Sequence, residues 1–259
     1  MRRVFVKLAN LGILNNRIFN NILLFFGLDA RFSKYINTYN YLNHSKENSS
    51  LQEVAGYSCT NEMAELLDQI HRQLRHCVIE NVPTSGVVLD IGCGPGLFLK
   101  DFDVHFEKYG VDIVPEMIEI AKRNVPEATF ISGDIIDVSL DKKFDLIYSV
   151  GALMYISKSK MKPLRQKIYS LLNPGGILLL SYPHAITRKD LYYPDISYVQ
   201  YSPEYVEKLF GEDCKILSHS RTVDGAKIHK WDQNPYVHPA DPSFKTYRNS
   251  SIIILKKIR

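Results

Sequence analysis

Three things are scarce in this chain of 259 residues. Its four cysteines, Cys59, Cys77, Cys93 and Cys214, are scattered and form no CxxC pair. That argues against a disulfide framework or a zinc site and fits a reducing, cytoplasmic compartment. Long apolar runs are absent too: the longest, Ile22 to Phe26, is far below the roughly 20 residues that a membrane-spanning helix needs. Finally, the body lacks charge of one sign. Residues 1 to 50 hold seven Lys/Arg against Asp29 and Glu47, a balance of +5, and the remaining 209 residues carry −1. A near-neutral body does not suit a general nucleic-acid binder.

What is present is ordinary globular material. A hydrophobic fraction of 45% and a charged fraction of 23% are those of a folded protein with a sizeable core. No internal repeat is visible. Two parts are expected: an N-terminal helical arm over 1–58 and a main domain over 59–259.

In the arm, Val4, Leu8, Leu11, Ile18, Ile22 and Phe25 recur at helical spacing, with Arg3, Lys7, Asn10 and Arg17 opposite. A signal peptide fits poorly, because Lys7 and Asn15–Asn16–Arg17 interrupt the apolar stretch and no A-x-A-like site follows. Two readings of the arm stand open. It packs on the domain or forms a homodimer contact, or it lies as a basic amphipathic helix on an anionic membrane surface, which would make the protein peripheral to the membrane. Residues 37–50 read as a polar hinge. Thr60 then caps a helix carrying Met63, Leu66, Leu67, Ile70, Leu74, Cys77 and Val78, closed by Pro83. On it, His71 and His76 have no carboxylate pattern nearby and read as surface or boundary residues.

The stretch that organises the body is VVLDIGCGPG, residues 87–96. A buried strand runs into a turn with Gly92, Gly94 and Gly96, and a helix is expected from Leu97–Phe98–Leu99. Such a turn brings bare backbone N–H groups up to a ligand, which a β-carbon would block. Further strands are expected at Tyr109–Asp112, Thr129–Ser132, Phe144–Val150, Ile177–Ser181, Cys214–Ser220 and Ser251–Lys256. Helices are expected at Pro115–Asn124, Ser159–Leu172 (stopped by Asn173–Pro174–Gly175–Gly176) and Pro203–Phe210. Regular alternation predicts an α/β fold with a mostly parallel sheet and helices on both faces. Residues 222–248 form a long insertion before the last strand, and long insertions are often functional.

Ligands of such sheets bind beyond the carboxyl ends of the strands, where strand order reverses. Asp90, Asp112 and Asp134 stand near such ends. A carboxylate at Asp90 would repel a nucleotide phosphate, and a dinucleotide fingerprint would want glycine where Leu97 stands.

The set LDIGCGPG, VDIVPEMIEIAK, GDIID, FDLIYSVGALMYIS and LLNPGGILLLS resembles the class I S-adenosylmethionine-dependent methyltransferases. The resemblance covers residues 87–182 and implies a Rossmann-like sheet of seven strands with the last one antiparallel. It implies S-adenosylmethionine as cofactor, S-adenosylhomocysteine as product, and no metal. That cofactor carries a sulfonium, an ammonium and a carboxylate but no phosphate, so Asp90 suits it.

By the same resemblance, Gly92, Cys93, Gly94 and Gly96 floor the methionine part and ribose, and Asp90 orients the ammonium. Asp112 accepts from both ribose hydroxyls, with Met117 on the helix beyond it. Ile113 and Ile135 sandwich the adenine, and Asp134 accepts from its exocyclic amine. Ser149, Val150, Gly151 and Ala152 line the methionine end, while Tyr57 closes over the cofactor. Cys93 occupies a variable slot of the loop and is not expected to act as a nucleophile.

Methyl transfer is an in-line displacement that rests on alignment and exclusion of water. A hydroxyl acceptor benefits from a general base, whereas a neutral amine need not. His184, Tyr155 and His229 are the candidates for catalysis, with Tyr182, His238 and Asp232 behind them. The spacing of His219, His229 and His238 matches no metal template. The arm and the insertion together are expected to form a lid over the acceptor.

A small-molecule or glycan acceptor is expected, with O-methylation ahead of N-methylation of an amine. Membrane-lipid methylation rests on the basic arm alone. An RNA or protein substrate is disfavoured, since Gly151–Ala152–Leu153 stands where base-amine methylators carry an NPPY-type motif. A non-catalytic cofactor-fold protein is the remote alternative.

Overall fold

The computed structural model describes residues 61–156, 158–183, 201–223 and 249–258. The arm with Tyr57, together with His184, His229, Asp232, His238 and most of the insertion, lies outside these residues. Among the described residues no helix is long and apolar enough to cross a membrane.

Helix α1 spans Asn61–Asn81. Its stripe buries Ile70, Leu74 and Cys77, and Asn81 Nδ2 donates to the Cys77 carbonyl to satisfy the helix end. Strand β1 (Val87–Ile91) follows. Both of its faces are covered: Leu89 and Ile91 enter one core cluster and Val88 the other. That is why it reads as an unbroken apolar run.

The remaining strands are β2 (Glu107–Asp112), β3 (Thr129–Ser132), β4 (Phe144–Val150), β5 (Leu172–Pro183), β6 (Cys214–Val223) and β7 (Asn249–Lys257). Three more helices are α2 (Pro115–Asn124), α3 (Lys158–Leu171) and α4 (Pro203–Phe210). One seven-stranded sheet has the order β3-β2-β1-β4-β5-β7-β6. β7 runs antiparallel to both β5 and β6, and the first five strands pair in parallel. The expected α/β Rossmann-like architecture is therefore present. The α1 side of the sheet packs Ile70, Leu74, Phe98, Phe102 and Tyr148; the other packs Met161, Leu164 and Ile168 of α3 with Val206 and Phe210 of α4.

Three local expectations are corrected. No α-helix follows the glycine loop, only a 3-10 turn at Leu99–Asp101. Asp103 then draws the chain out, accepting from the His105 amide at its side chain and from the Phe106 amide at its carbonyl. So few residues before β2 hold one turn and the return to the sheet, not a crossover helix. The Asn173–Gly176 turn lies inside the β5 ladder: Leu172 pairs with Phe144 and Ile177 with Leu146, so those four residues bulge out, with Gly175 at φ +76°. Thr222 and Val223 pair with Ser250 and Asn249, which moves the start of the insertion past Val223.

Candidate functional site

Strand order reverses between β1, which is flanked by β2, and β4. The crevice outside their carboxyl ends is where an open α/β sheet places its ligand. The glycine loop opens there. Gly92 and Cys93 both donate to the Val111 carbonyl, at 2.8 and 3.2 Å, and this ties the loop to the end of β2.

The three loop glycines do different work. All have left-handed φ, at +74°, +51° and +79° for Gly92, Gly94 and Gly96. A β-carbon on Gly92 would lie 2.3 Å from Ala152 Cβ, so here loop and β4 exit need the missing side chain to meet. A β-carbon on Gly96 would press Val125 at the end of α2. At Gly94 it would meet nothing within 4 Å, so this glycine faces open space. Asn124 Nδ2 donates to the Pro95 carbonyl at 2.8 Å and braces the loop from α2.

Asp112 closes the second side. Its Oδ2 accepts from the Gly94 amide at 2.8 Å and its Oδ1 from the Val114 amide at 2.9 Å. Burial raises its carboxyl above the usual value, against these backbone donors. A carboxylate has more acceptor sites than these donors fill, so acceptor capacity remains on Asp112 beside Gly94.

Asp90 lies deeper, in the layer below the loop. It is 2% exposed and its Oδ2 has no hydrogen-bond partner. Burial, with the charge of Asp112 adding to it, holds its carboxyl well above the carboxylate range. The neighbouring Cys93 is likewise buried, its thiol pushed well up by burial and by the two aspartates. A thiol so disfavoured as thiolate is a poor nucleophile.

The other expected residues divide. Gly151, at φ +71°, donates to the Ser181 carbonyl and lies half-buried beside Ala152 at the crevice. Tyr155 ends the 3-10 turn Leu153–Tyr155 just beyond, also half-buried. Ile113 is half-buried next to Asp112. By contrast, Met117 and Ile135 are core residues. Val150 packs into the α1 side of the core. The Ser149 hydroxyl donates to the Ile91 carbonyl at 2.9 Å, so it holds β1 to β4 rather than facing the crevice.

Asp134 has a partner that was not expected: Lys160 of α3 at 2.8 Å, while its other oxygen takes the Ile136 amide. Tyr182 is buried, with its hydroxyl 3.2 Å from His219 Nε2, and His219 Nδ1 lies 2.5 Å from Glu207 of α4. This chain of groups ties β5 and β6 to α4. Nor is His71 without a carboxylate: it pairs with Asp101 and stacks on Phe98 behind the glycine loop.

Asn124, Lys160 and Asp101 had no sequence signal. Each reaches its partner across 26 to 30 positions of chain, and only the fold brings them together. Among the described residues no group of His, Cys, Asp and Glu could hold a metal ion.

Comparison with known proteins agrees with this geometry. A family model described as a methyltransferase domain matches residues 88–176. The malonyl-[acyl-carrier protein] O-methyltransferase of Priestia megaterium is 30% identical over 122 residues, 43% of this chain and 44% of the relative. A trans-aconitate 2-methyltransferase of Enterobacter sp. is 33% identical over 140 residues, 52% of this chain and 50% of the relative. The chain thus spans about half the length of the curated relatives it matches. Among solved structures, the N-methyltransferase NodS of Bradyrhizobium japonicum with S-adenosylhomocysteine superposes at a TM-score of 0.63 with 17% identity, covering 86% of this chain and all of that one. The magnesium protoporphyrin IX methyltransferase of Synechocystis with S-adenosylmethionine gives 0.62 with 16% identity, over 88% and 97%. At those identities the likeness is one of fold.

Proposed function

We propose that this chain, whose residues 88–176 match a family model described as a methyltransferase domain, is a class I S-adenosylmethionine-dependent enzyme that transfers a methyl group from S-adenosylmethionine to a small-molecule or sugar acceptor, with oxygen favoured as the receiving atom. The observation that carries the reading is the pairing of Asp112 with Gly94. A carboxylate with spare acceptor capacity stands beside a glycine whose missing side chain would point into open space.

The residues present fit the cofactor. Asp112 suits a vicinal diol, which has two hydroxyls to donate. Asp90 and the phosphate-averse floor suit a cationic amino-acid end. Ile113 offers an apolar surface beside Asp112, as an adenine face requires. Once bound, S-adenosylmethionine supplies a methyl group on a sulfonium that leaves as a neutral thioether. What this chain adds is placement: the Gly92–Ala152 contact and the Val111 carbonyl fix the loop, and Asp112 locks it to β2. Such fixed geometry lowers the barrier by removing orientational freedom in advance.

For the acceptor, a relative named as a malonyl-[acyl-carrier protein] O-methyltransferase supports an oxygen, and one named as a trans-aconitate 2-methyltransferase supports a small carboxylic acid. A sugar N,N-dimethyltransferase of Streptomyces venezuelae, 28% identical over 107 residues, keeps amino sugars in view. The half-buried Tyr155 and, beyond the described residues, His184 and His229 are the candidates to receive the acceptor's proton. The arm and the insertion are proposed as the acceptor's cover, with an anionic membrane surface or a second copy as partner of the arm. Methyl-labelled cofactor offered with panels of small carboxylic acids, hydroxylated sugars and amino sugars tests the reading. Label in an ester or ether is expected. Label only in amines overturns the preference for oxygen, and no label in any acceptor class counts against the function.

A further inference from the structure

Helix α3 carries Lys158, Lys160, Lys162, Arg165 and Lys167 and no acid, in a body that is otherwise near-neutral. Two of these cations have carboxylates: Lys160 pairs with Asp134, and Arg165 with Glu212 and Asp213. Lys167 donates to the Val138 carbonyl. Lys158 and Lys162 are exposed and lie one turn apart on the same helix face. Neither has a carboxylate partner among the described residues. Cations at the start of a helix oppose its dipole, so their placement there does not serve the helix.

Lys158 stands on the acceptor side of the crevice. The glycine loop and Asp112 close the exits of β1 and β2, so a cofactor seated there leaves the β4 and β5 exits for the acceptor. The Gly151 amide joins those two exits by donating to the Ser181 carbonyl at 3.0 Å. α3 starts just beyond, after the turn Leu153–Tyr155. Its first lysines divide there. Lys160 reaches back to Asp134 past the end of β3, whereas Lys158 Nζ lies over the Tyr205 ring of α4, 5.7 Å from its centroid. Tyr205 stacks on Tyr201 at 5.5 Å, and the Tyr201 hydroxyl donates to the Ile156 carbonyl at 2.6 Å. The half-buried ring is thus held to the linker before α3, and it holds the Lys158 ammonium at the rim in turn.

We propose that Lys158 determines acceptor specificity and that the acceptor is an acid, a small molecule whose carboxylate pairs with the Lys158 ammonium at the edge of the Tyr205 ring. The inference rests on the methyltransferase reading and deepens it by choosing the anionic class among its acceptors. Lys158 binds and takes no part in the bond changes. It holds one acidic group at the rim, while a second oxygen of the same molecule turns inward to receive the methyl group. Where that oxygen belongs to another carboxylate, the O–C bond forms as the S–C bond breaks, the electron pair stays on sulfur, and no proton moves. Lys162 extends the positive strip outward and draws anions toward the crevice. A neutral sugar leaves Lys158 without a counter-charge, and an amino sugar brings it a like charge.

The test is methyl transfer by the full chain from methyl-labelled S-adenosylmethionine to a panel of di- and tricarboxylic acids, from malonate to citrate. Their neutral methyl esters, glucose and glucosamine are offered beside them. Label is expected in at least one free acid and in none of the neutral or cationic compounds. For that acid, Lys158→Ala raises KM roughly fivefold, the effect of losing one exposed ion pair, and Lys158→Glu raises it further. In both variants kcat and the affinity for S-adenosylhomocysteine stay as in wild type, and Lys158→Arg restores KM. Added salt raises KM of wild type more than that of Lys158→Ala. Label confined to esters or sugars, or an acid whose KM does not respond to Lys158→Glu, overturns this inference alone. No label in any class overturns it together with the methyltransferase reading.

Discussion

Gly92 and Ala152 meet across the crevice so closely that a β-carbon on the glycine would sit 2.3 Å from Ala152 Cβ. The first residue of the loop and the exit of β4 thus fix each other, whereas Gly94, two residues on, touches nothing on its side-chain side. The two glycines should answer substitution differently. Gly92→Ala combines a clash with a left-handed φ and is expected to lower stability by at least about 2 kcal/mol. Gly94→Ala carries only the backbone cost of about 1 kcal/mol and is expected to keep its fold while losing cofactor affinity tenfold or more. Thermal unfolding and cofactor titration of both variants check this; equal behaviour would contradict it.

Asp90 ties stability to pH in a defined direction. Its folded pKa is raised by burial, so the folded chain holds a proton that the unfolded chain releases above about pH 4. The stabilisation from that proton is complete below the unfolded pKa and is lost as pH rises through the folded one. Asp90→Asn escapes this loss. Its melting temperature relative to wild type should therefore be higher at pH 8 than at pH 5. A constant difference between the two pH values would mean that Asp90 is ionised in the fold.

Glu207, His219 and Tyr182 link α4, β6 and β5 through 2.5 and 3.2 Å contacts. His219→Ala removes the imidazole that bridges the Tyr182 hydroxyl and Glu207, and is expected to cost about 1 kcal/mol. Cofactor affinity should not change, because the triad lies on the α4 side of the sheet, away from the Asp90 and Tyr148 face. A selective loss of activity at unchanged stability would instead place this triad in the chemistry.

Much of the frame is legible in the sequence because local rules agree with the global fold there. FDLIYSV reads as a buried parallel strand and is β4 to the residue; Pro115 and Pro203 each start a helix as N1 residues do. The glycine loop is legible because only glycine takes three left-handed turns so close together. The misreadings fall where tertiary context decides. LFLKDF has an apolar helical pattern, but too few residues before β2 to form a helix. Asn173–Gly176 is turn chemistry placed inside a ladder. The partners Lys160 and Asn124 carry no local signal at all, since their meaning comes from what the sheet brings beside them.

The central claim is that the carboxylate of Asp112, locked to Gly94, holds the ribose of S-adenosylmethionine at this crevice. Titration of wild type and Asp112→Ala with S-adenosylhomocysteine tests it most directly. Wild type is expected to bind at one site, and the variant, losing charge-assisted acceptors worth about 1.5–3 kcal/mol, to bind at least tenfold more weakly while remaining folded. Equal affinity in the two proteins, or no binding by wild type, would contradict the account.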